Sequence, residues 1–552
     1  AVNANMEYTS GPSLPIVSDA LSEANVERSD GDMLTHASGL SGGVTGAYDY
    51  DIGGSKKTTL SARFQMFGEQ RGPYIGYFDT VGPESNLNWF IWSSQGILKH
   101  RFSQNTELSW KIYGGQHIVD RLLQLAPKGF TTPDRDGDGN AEVFTDGVFA
   151  QTSYDTINWG TEGRFDLRPS KAHHVTTGVR LNVGALPENN FVLRFNRDLN
   201  GVTQGLDVVD NLEMPQNELC RIYGEQVSIG LSACRLTLAA FVQEDWRPTD
   251  SLAATFGLRF SSLSDLDFDL ASHLTPRIAL VWEPLSRWTI KTSAATAFRA
   301  PTLEEKYDQT PLAFSDQSAG LLLGNESLKS ELVSTVELGT GYEFQIGKTG
   351  YHFYLNPFAS HVGQVIEHID DTGTLSNLIN QEGYDMFGVS GEARVGFDDG
   401  HFLFVNSSWH RVYWGRETVD DSLTCGVWPW ETSTEICTLV TDVPQLRTNA
   451  GAFLQLDTWG SLSLYGHLGS MRKNNWRSQL EQMRTYEIPA YSIANFVYQT
   501  PQSGEGLILR FLARNIFQED IKDPVPRPDA DRMPGLLPRA GFEAFAQLIW
   551  QN

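Results

Sequence analysis

The sequence predicts an all-β chain, a transmembrane antiparallel β-barrel with short turns at one end and long loops at the other. Three observations lead there. Apolar and polar residues alternate with a period of two over stretches of roughly ten residues, the length a tilted membrane strand needs. Nine short turn signals, at 53–56, 103–106, 168–171, 248–251, 283–287, 347–350, 398–400, 457–460 and 502–506, alternate with much longer polar connections. The 552 residues contain no apolar run long enough for a transmembrane helix, yet aromatics reach 11%, with 14 Trp and 51 Gly. A mean hydropathy of -0.29 is compatible with a membrane barrel, because lumen-facing residues dilute every window. Period two alone would suit a half-buried soluble sheet equally well, and the alternation of short turns with long loops is what favours the barrel.

In chain order, residues 3–10 read as one strand followed by a polar connection, and 1–37 as an N-terminal segment leading into a barrel over 38–552. From Thr58, Leu60, Ala62, Phe64 and Met66 alternate with polar partners, and after a loop rich in Gly, Pro and Asn the chain returns through Trp89 to Phe102. The next loop carries Asp134, Asp136, Asp138, Asn140 and Glu142, oxygen ligands on alternate residues with Gly139 where a calcium loop turns sharply. The match to an EF-hand is partial. Thr145 stands where the bidentate Glu belongs, and no helical pattern flanks the loop, so a flexible acidic loop explains the same residues.

Strand patterns follow at 159–167 and 174–181, then a loop of about fifty residues; loops of this length are usually functional. The strand 252–260 sets Leu252, Ala254, Phe256, Leu258 and Phe260 on an apolar face and Arg259 on the other. In 288–299, Trp288, Ile290, Ala294 and Phe298 oppose Thr289, Lys291, Ser293 and Arg299. Phe256 and Leu258 are therefore expected to face lipid, and Arg259 and Lys291 the lumen. The closing strand alternates Phe542, Ala544, Ala546, Leu548 and Trp550 on its outer face.

Four cysteines allow three connectivities, and the local pairing Cys220–Cys234 and Cys425–Cys437 is the simplest. Both pairs sit in polar, irregular stretches rather than on apolar strand faces, which fits disulfides in an oxidising compartment better than buried thiols. No Cys/His spacing suggests zinc. The formal charge of -25 argues against nucleic acid as a partner, since polyanions are bound by basic patches. No Gly-x-Ser-x-Gly, P-loop or His-Glu-x-x-His word is present, and Glu304-Glu305 and Asp370-Asp371 read as loop acids, so no enzyme is predicted.

The words Phe298-Arg299-Ala300-Pro301-Thr302-Leu303-Glu304-Glu305, then Gly324-Asn325-x-x-Leu328-Lys329-x-Glu331, then Val336-Glu337-Leu338-Gly339 fall in the order in which they occur in one family. The chain resembles the barrel of TonB-dependent outer-membrane receptors over roughly 55–552, with further likeness at 241–246, 380–392, 513–517 and 534–541. The resemblance implies about 22 strands, long extracellular loops, short periplasmic turns and residence in the bacterial outer membrane. It also implies uptake of a scarce large solute such as a ferric siderophore. Implied partners are outer-membrane lipid and lipopolysaccharide, and a TonB-type energy coupler or a plug or other envelope protein. Haem-uptake members carry a His between the first two words; none lies between Pro301 and Asn325. The family places a plug before the barrel, and residues 1–37 are too short for one. A plug elsewhere, a passive plugless pore, and a scaffold barrel in an envelope assembly are the resulting expectations.

Overall fold

Period-two alternation becomes one long antiparallel ladder in the computed structural model. It describes residues 2–9, 14–15, 33–34, 38–54, 57–72, 84–126, 128–132, 142–199, 202–205, 227–307, 309–315, 318–370, 375–381, 383–414, 438–439, 443–474, 486–504, 506–524, 536–538 and 541–550. The long strands are β1 (Val2–Thr9), β2 (Gly39–Ile52), β3 (Thr58–Arg71), β4 (Asn86–Ser103), β5 (Thr106–Ala126), β6 (Glu142–Ser170), β7 (His173–Leu199), β8 (Val227–Thr249), β9 (Leu252–Leu263) and β10 (Leu274–Leu285). They continue as β11 (Trp288–Arg299), β12 (Glu331–Ile346), β13 (Thr349–Gly363), β14 (Tyr384–Gly396), β15 (Phe402–Trp414), β16 (Leu446–Gln455), β17 (Ser461–Gly469), β18 (Tyr491–Gln499), β19 (Leu507–Arg514) and β20 (Glu543–Trp550). Each pairs antiparallel with the next, from β1 on β2 to β19 on β20.

With three short pieces this is a 23-stranded sheet. Nine turns join eighteen strands, and one more at each end makes twenty, the number of long strands here; the twenty-two implied by resemblance is not reached among the described residues. Val2–Thr9 pairs along its whole length with Gly39–Gly46, so this N-terminal strand is part of the sheet. The two end strands, β1 and β20, are each paired on one side among the described residues. Hydrocarbon tolerates no bare backbone edge, which is why such a sheet must close in the membrane.

All nine predicted turns join consecutive strands. At the first, Gly53 and Gly54 both have positive φ, +79° and +69°, which a two-residue reversal needs and a Cβ would oppose. The opposite strand ends run into the long connections. There a second sheet of four strands forms, in the order Gln309–Ser315, Ser318–Leu323, Leu375–Gln381, Val365–Asp370. Its central pair is parallel, Leu321–Leu323 against Leu375–Asn377.

The register fixes the faces. Phe256 lies opposite Ile278 and Ile278 opposite Ala294 in one outward row, and Leu509 lies opposite Leu548 in another. Phe256 is 44% exposed, Leu258 42%, and Leu548 and Trp550 66% each, as lipid-facing side chains are when the lipid is not counted. Arg259 and Lys291 take the opposite parity, as the sequence predicts. Outward tryptophans gather one turn from the short-loop end: Trp110, Trp246, Trp282 and Trp288. Trp110 Nε1 donates to Thr161 Oγ1 at 2.6 Å and Trp288 Nε1 to Thr340 Oγ1 at 2.7 Å. An apolar body with one satisfied polar tip is what a membrane interface selects. Among the described residues few apolar side chains are buried, because a barrel wall has no central oil drop; Leu328, Leu378, Ile488 and Ile521 are buried outside the long ladder.

Candidate functional site

The family-like words meet at the rim opposite the short turns. Arg299 closes β11 directly opposite Glu331, the first residue of β12. Its Nε donates to Glu331 Oε2 at 2.5 Å and its Nη2 to Glu331 Oε1 at 2.9 Å, while Nη1 reaches both oxygens of Glu305 at 3.0 Å. One guanidinium thus holds two carboxylates in a planar fork, which lysine could not do. Glu305 is positioned by a short helix, α2 (Leu303–Tyr307; α1 being Leu270–His273). That helix opens with a capping box: Thr302 N–H donates to Glu305 Oε2 at 2.7 Å and Glu305 N–H to Thr302 Oγ1 at 3.0 Å. The two acids of the Glu304-Glu305 word therefore sit on a helix rather than in a loop, and Glu305 is engaged in structure.

The clasp extends to neighbouring loops. Glu331 Oε1 also accepts Ile366 N–H at 2.8 Å. Asn325 Nδ2 donates to the Leu378 carbonyl at 2.8 Å and its Oδ1 accepts Ser327 N–H at 2.9 Å. Asn380 returns the tie, with Nδ2 donating to the carbonyls of Lys329 at 2.9 Å and Gln364 at 2.8 Å and Oδ1 accepting Lys329 N–H at 2.7 Å. Lys306, 4% exposed, donates its ammonium to the Asp265 carbonyl, and burial pushes that ammonium below the ordinary lysine value. The Asp265 carboxylate accepts Arg235 through two bonds of 2.6 Å each. Segments 264–266, 299–307, 325–331, 364–366 and 378–380 are thereby tied into one rim. In the sequence only the Thr302-x-x-Glu305 spacing signals any of this; Arg299–Glu331 and Asn380–Lys329 join residues far apart in the chain.

Below the rim the lumen wall is polar. Arg63 pairs with Asp49 at 2.8 Å, and Arg164 with Asp166 at 2.7 Å, while Asp166 also accepts Thr176 Oγ1 at 2.8 Å. Tyr113 lies flat over Gly160, where a Cβ would come within 2.4 Å of the ring, and its hydroxyl donates to Asn182 Oδ1 at 3.0 Å. A cavity of about 760 Å³ runs along this wall, with Arg63, Gln95, Lys111, Tyr113 and His117 among its lining.

The predicted calcium ligands Asp134, Asp136, Asp138 and Asn140 lie outside the described residues. Glu142 opens β6 and pairs with Thr132. Of the cysteines, Cys234 is exposed on β8 opposite Ala185 and forms no disulfide among the described residues. Cys220, Cys425 and Cys437 lie outside them. Asp370 ends the strand Val365–Asp370, and Asp371 lies outside the described residues.

The family described as TonB dependent receptor-like, beta-barrel matches residues 28–516. An iron-regulated outer membrane virulence protein of Vibrio cholerae serotype O1 is 33% identical over 131 residues, which is 23% of this chain and 19% of that protein. The match thus spans about a fifth of the curated relative. Among solved structures, the FrpB iron transporter from Neisseria meningitidis covers 99% of this chain at 12% identity, with a TM-score of 0.62 and 76% of its own chain covered. The siderophore receptor PiuA from Acinetobacter baumannii has a TM-score of 0.63 at 11% identity, covering 99% of this chain and 77% of its own. At these identities the likeness is one of fold.

Proposed function

From the premise that this chain belongs to the TonB-dependent receptor β-barrel family of the bacterial outer membrane, we propose that it takes up a scarce large solute, such as a ferric siderophore, captured on its outer loops. The family is one of receptors and transporters that work with the TonB energy coupler, rather than one of enzymes. In this reading a TonB-type coupler supplies the energy, and a plug, in the same protein or another chain, gates the lumen. The outward apolar band meets outer-membrane lipid and, in the outer leaflet, lipopolysaccharide. The observation that carries the reading is the family match over residues 28–516. That an iron transporter and a siderophore receptor share the fold supports the choice of cargo. The test is uptake of radiolabelled iron presented on a panel of siderophores, in an outer-membrane host stripped of its own receptors, with and without TonB. Uptake that requires both this protein and TonB is expected. Equal uptake without TonB would leave a passive pore, and none from any chelate would remove the cargo class.

A further inference from the structure

A cation on the lipid side of a membrane strand is costly at the midplane and nearly free at the interfaces. In the outer half of the apolar band, Arg411 is the only Lys or Arg that the described strands turn outward. It shares the outward parity of β15 with Leu403, Val405 and Trp409, all three exposed. On a strand tilted by about 40°, nine steps from Phe402 lift Arg411 about 23 Å, to the outer border of a band about 25 Å tall.

Aromatic rings frame this guanidinium. Trp409 and Tyr413 stand below and above Arg411 on the same face of β15, and Phe387 lies opposite it in register on β14. Phe387 meets the Trp409 ring edge-on at 6.0 Å and stacks on Tyr413 at 5.8 Å. The guanidinium carbon of Arg411 lies 5.7 Å from the Trp409 ring centre, and its Nη1 donates to Tyr413 Oη at 3.4 Å. That is the only side-chain bond Arg411 makes among the described residues, and no carboxylate among them comes within 4 Å of it. Elsewhere in this barrel cations meet carboxylates: Arg164–Asp166 at 2.7 Å, Arg235–Asp265 at 2.6 Å and Arg299–Glu331 at 2.5 Å. One acid shares the outward face nearby, Asp385, opposite Tyr413 and diagonal to Arg411, and His361 of β13 engages it at 2.8 Å. The rings thus hold Arg411 in direction while leaving its charge and most of its donors to a group arriving from the outer leaflet.

We propose that Arg411, framed by Trp409, Phe387 and Tyr413, binds a lipid A phosphate of lipopolysaccharide in the outer leaflet. The proposal rests on the outer-membrane placement and turns a general lipid neighbour into one defined contact. A guanidinium offers paired N–H donors to phosphate oxygens, and the rings give the lipid beside it a flat surface that is apolar in body and polar at the Trp and Tyr tips. Charge singles out the place. A chain with a formal charge of -25 repels an anionic headgroup in general, so attraction is confined to where a cation faces the leaflet without an acid bound to it.

The test uses the purified full chain in neutral detergent and native mass spectrometry, which counts bound lipid molecules. Three probes are titrated: lipid A carrying two phosphates, the same lipid A dephosphorylated, and phosphatidylglycerol. The bisphosphorylated form is expected to bind at least about tenfold more tightly than either of the others. Arg411→Gln is expected to lose about tenfold for that form alone, and Arg411→Lys, which keeps the charge but not the paired donors, to lose less. Asp385→Asn is expected to bind it about twofold more tightly, because a neighbouring negative charge is removed. Heat-modifiable migration checks that each variant folds. If Arg411→Gln fails that check, the gain in Asp385→Asn decides the matter. Undiminished binding in folded Arg411→Gln, equal binding of the dephosphorylated lipid, or equal binding of phosphatidylglycerol would each overturn the proposal. Lipid binding needs neither coupler nor cargo, so its failure leaves the uptake reading standing, and absent uptake leaves this contact standing.

Discussion

Leu258 and Ser293 provide a direct test of which face meets lipid. Leu258 is the seventh residue of the 12-residue strand β9, on the outward row with Phe256 and Phe260. A strand tilted by about 40° climbs roughly 2.6 Å per residue, so six steps from Leu252 put Leu258 about 15 Å up, near the middle of an apolar band about 25 Å tall. Leu258→Arg should then cost roughly 2–4 kcal/mol, a factor of about 30 to 900 in the folding equilibrium. Ser293 faces the lumen opposite Glu337, and Ser293→Arg should stay within about 0.5 kcal/mol. The assay is reversible urea unfolding in lipid vesicles, followed by tryptophan fluorescence and heat-modifiable migration. Equal costs at the two sites, or a larger cost at Ser293, would refute the assignment of faces.

The rim clasp predicts a local effect. Arg299→Gln should weaken α2 and the segment at Ile366 by about 1–2 kcal/mol, discounted because Arg299 is 43% exposed, and hydrogen exchange should accelerate there while β9 and β10 keep their protection. For the acidic stretch from Asp134 to Glu142, calorimetry should show calcium binding in the wild type that Asp136→Ala abolishes; unchanged isotherms would leave only a solvated acidic stretch. Non-reducing peptide mapping should recover Cys220–Cys234 and Cys425–Cys437, each closing a loop whose constraint amounts to about 3 kcal/mol in the chain-entropy model; free thiols or cross-pairs would refute the pairing.

The features legible in the sequence are those that depend on neighbours along the chain. Leu252 to Phe260 show both faces of β9 because period two is a local property, and Gly53-Gly54 marks a reversal because positive φ is local too. The same locality hid the strand lengths. The readable segment 159–167 is part of a 29-residue strand, and 174–181 of a 27-residue one, because extracellular continuation needs no apolar face and so leaves no pattern. The clasp was illegible for another reason. Arg299 finds Glu331 across a strand pair, and Asn325 finds Leu378 53 positions away, distances that only folding sets. The parallel pair at Leu321–Leu323 and Leu375–Asn377 belongs to the same class.

Those long strands also give the outer surface an uneven skyline. β6, β7 and β8 run for 29, 27 and 23 residues, whereas β9, β10 and β11 stop after 12 each. At about 3.3 Å per residue, crossing the hydrocarbon uses roughly ten residues, so the first group stands as a hydrogen-bonded palisade tens of ångströms tall beside a low sill. A palisade paired on both sides bends little, so it stands as a stiff wall along one flank of the outer surface. Over the sill stands the clasp of Arg299, Glu305 and Glu331, held by side chains where its neighbours are held by a continued ladder.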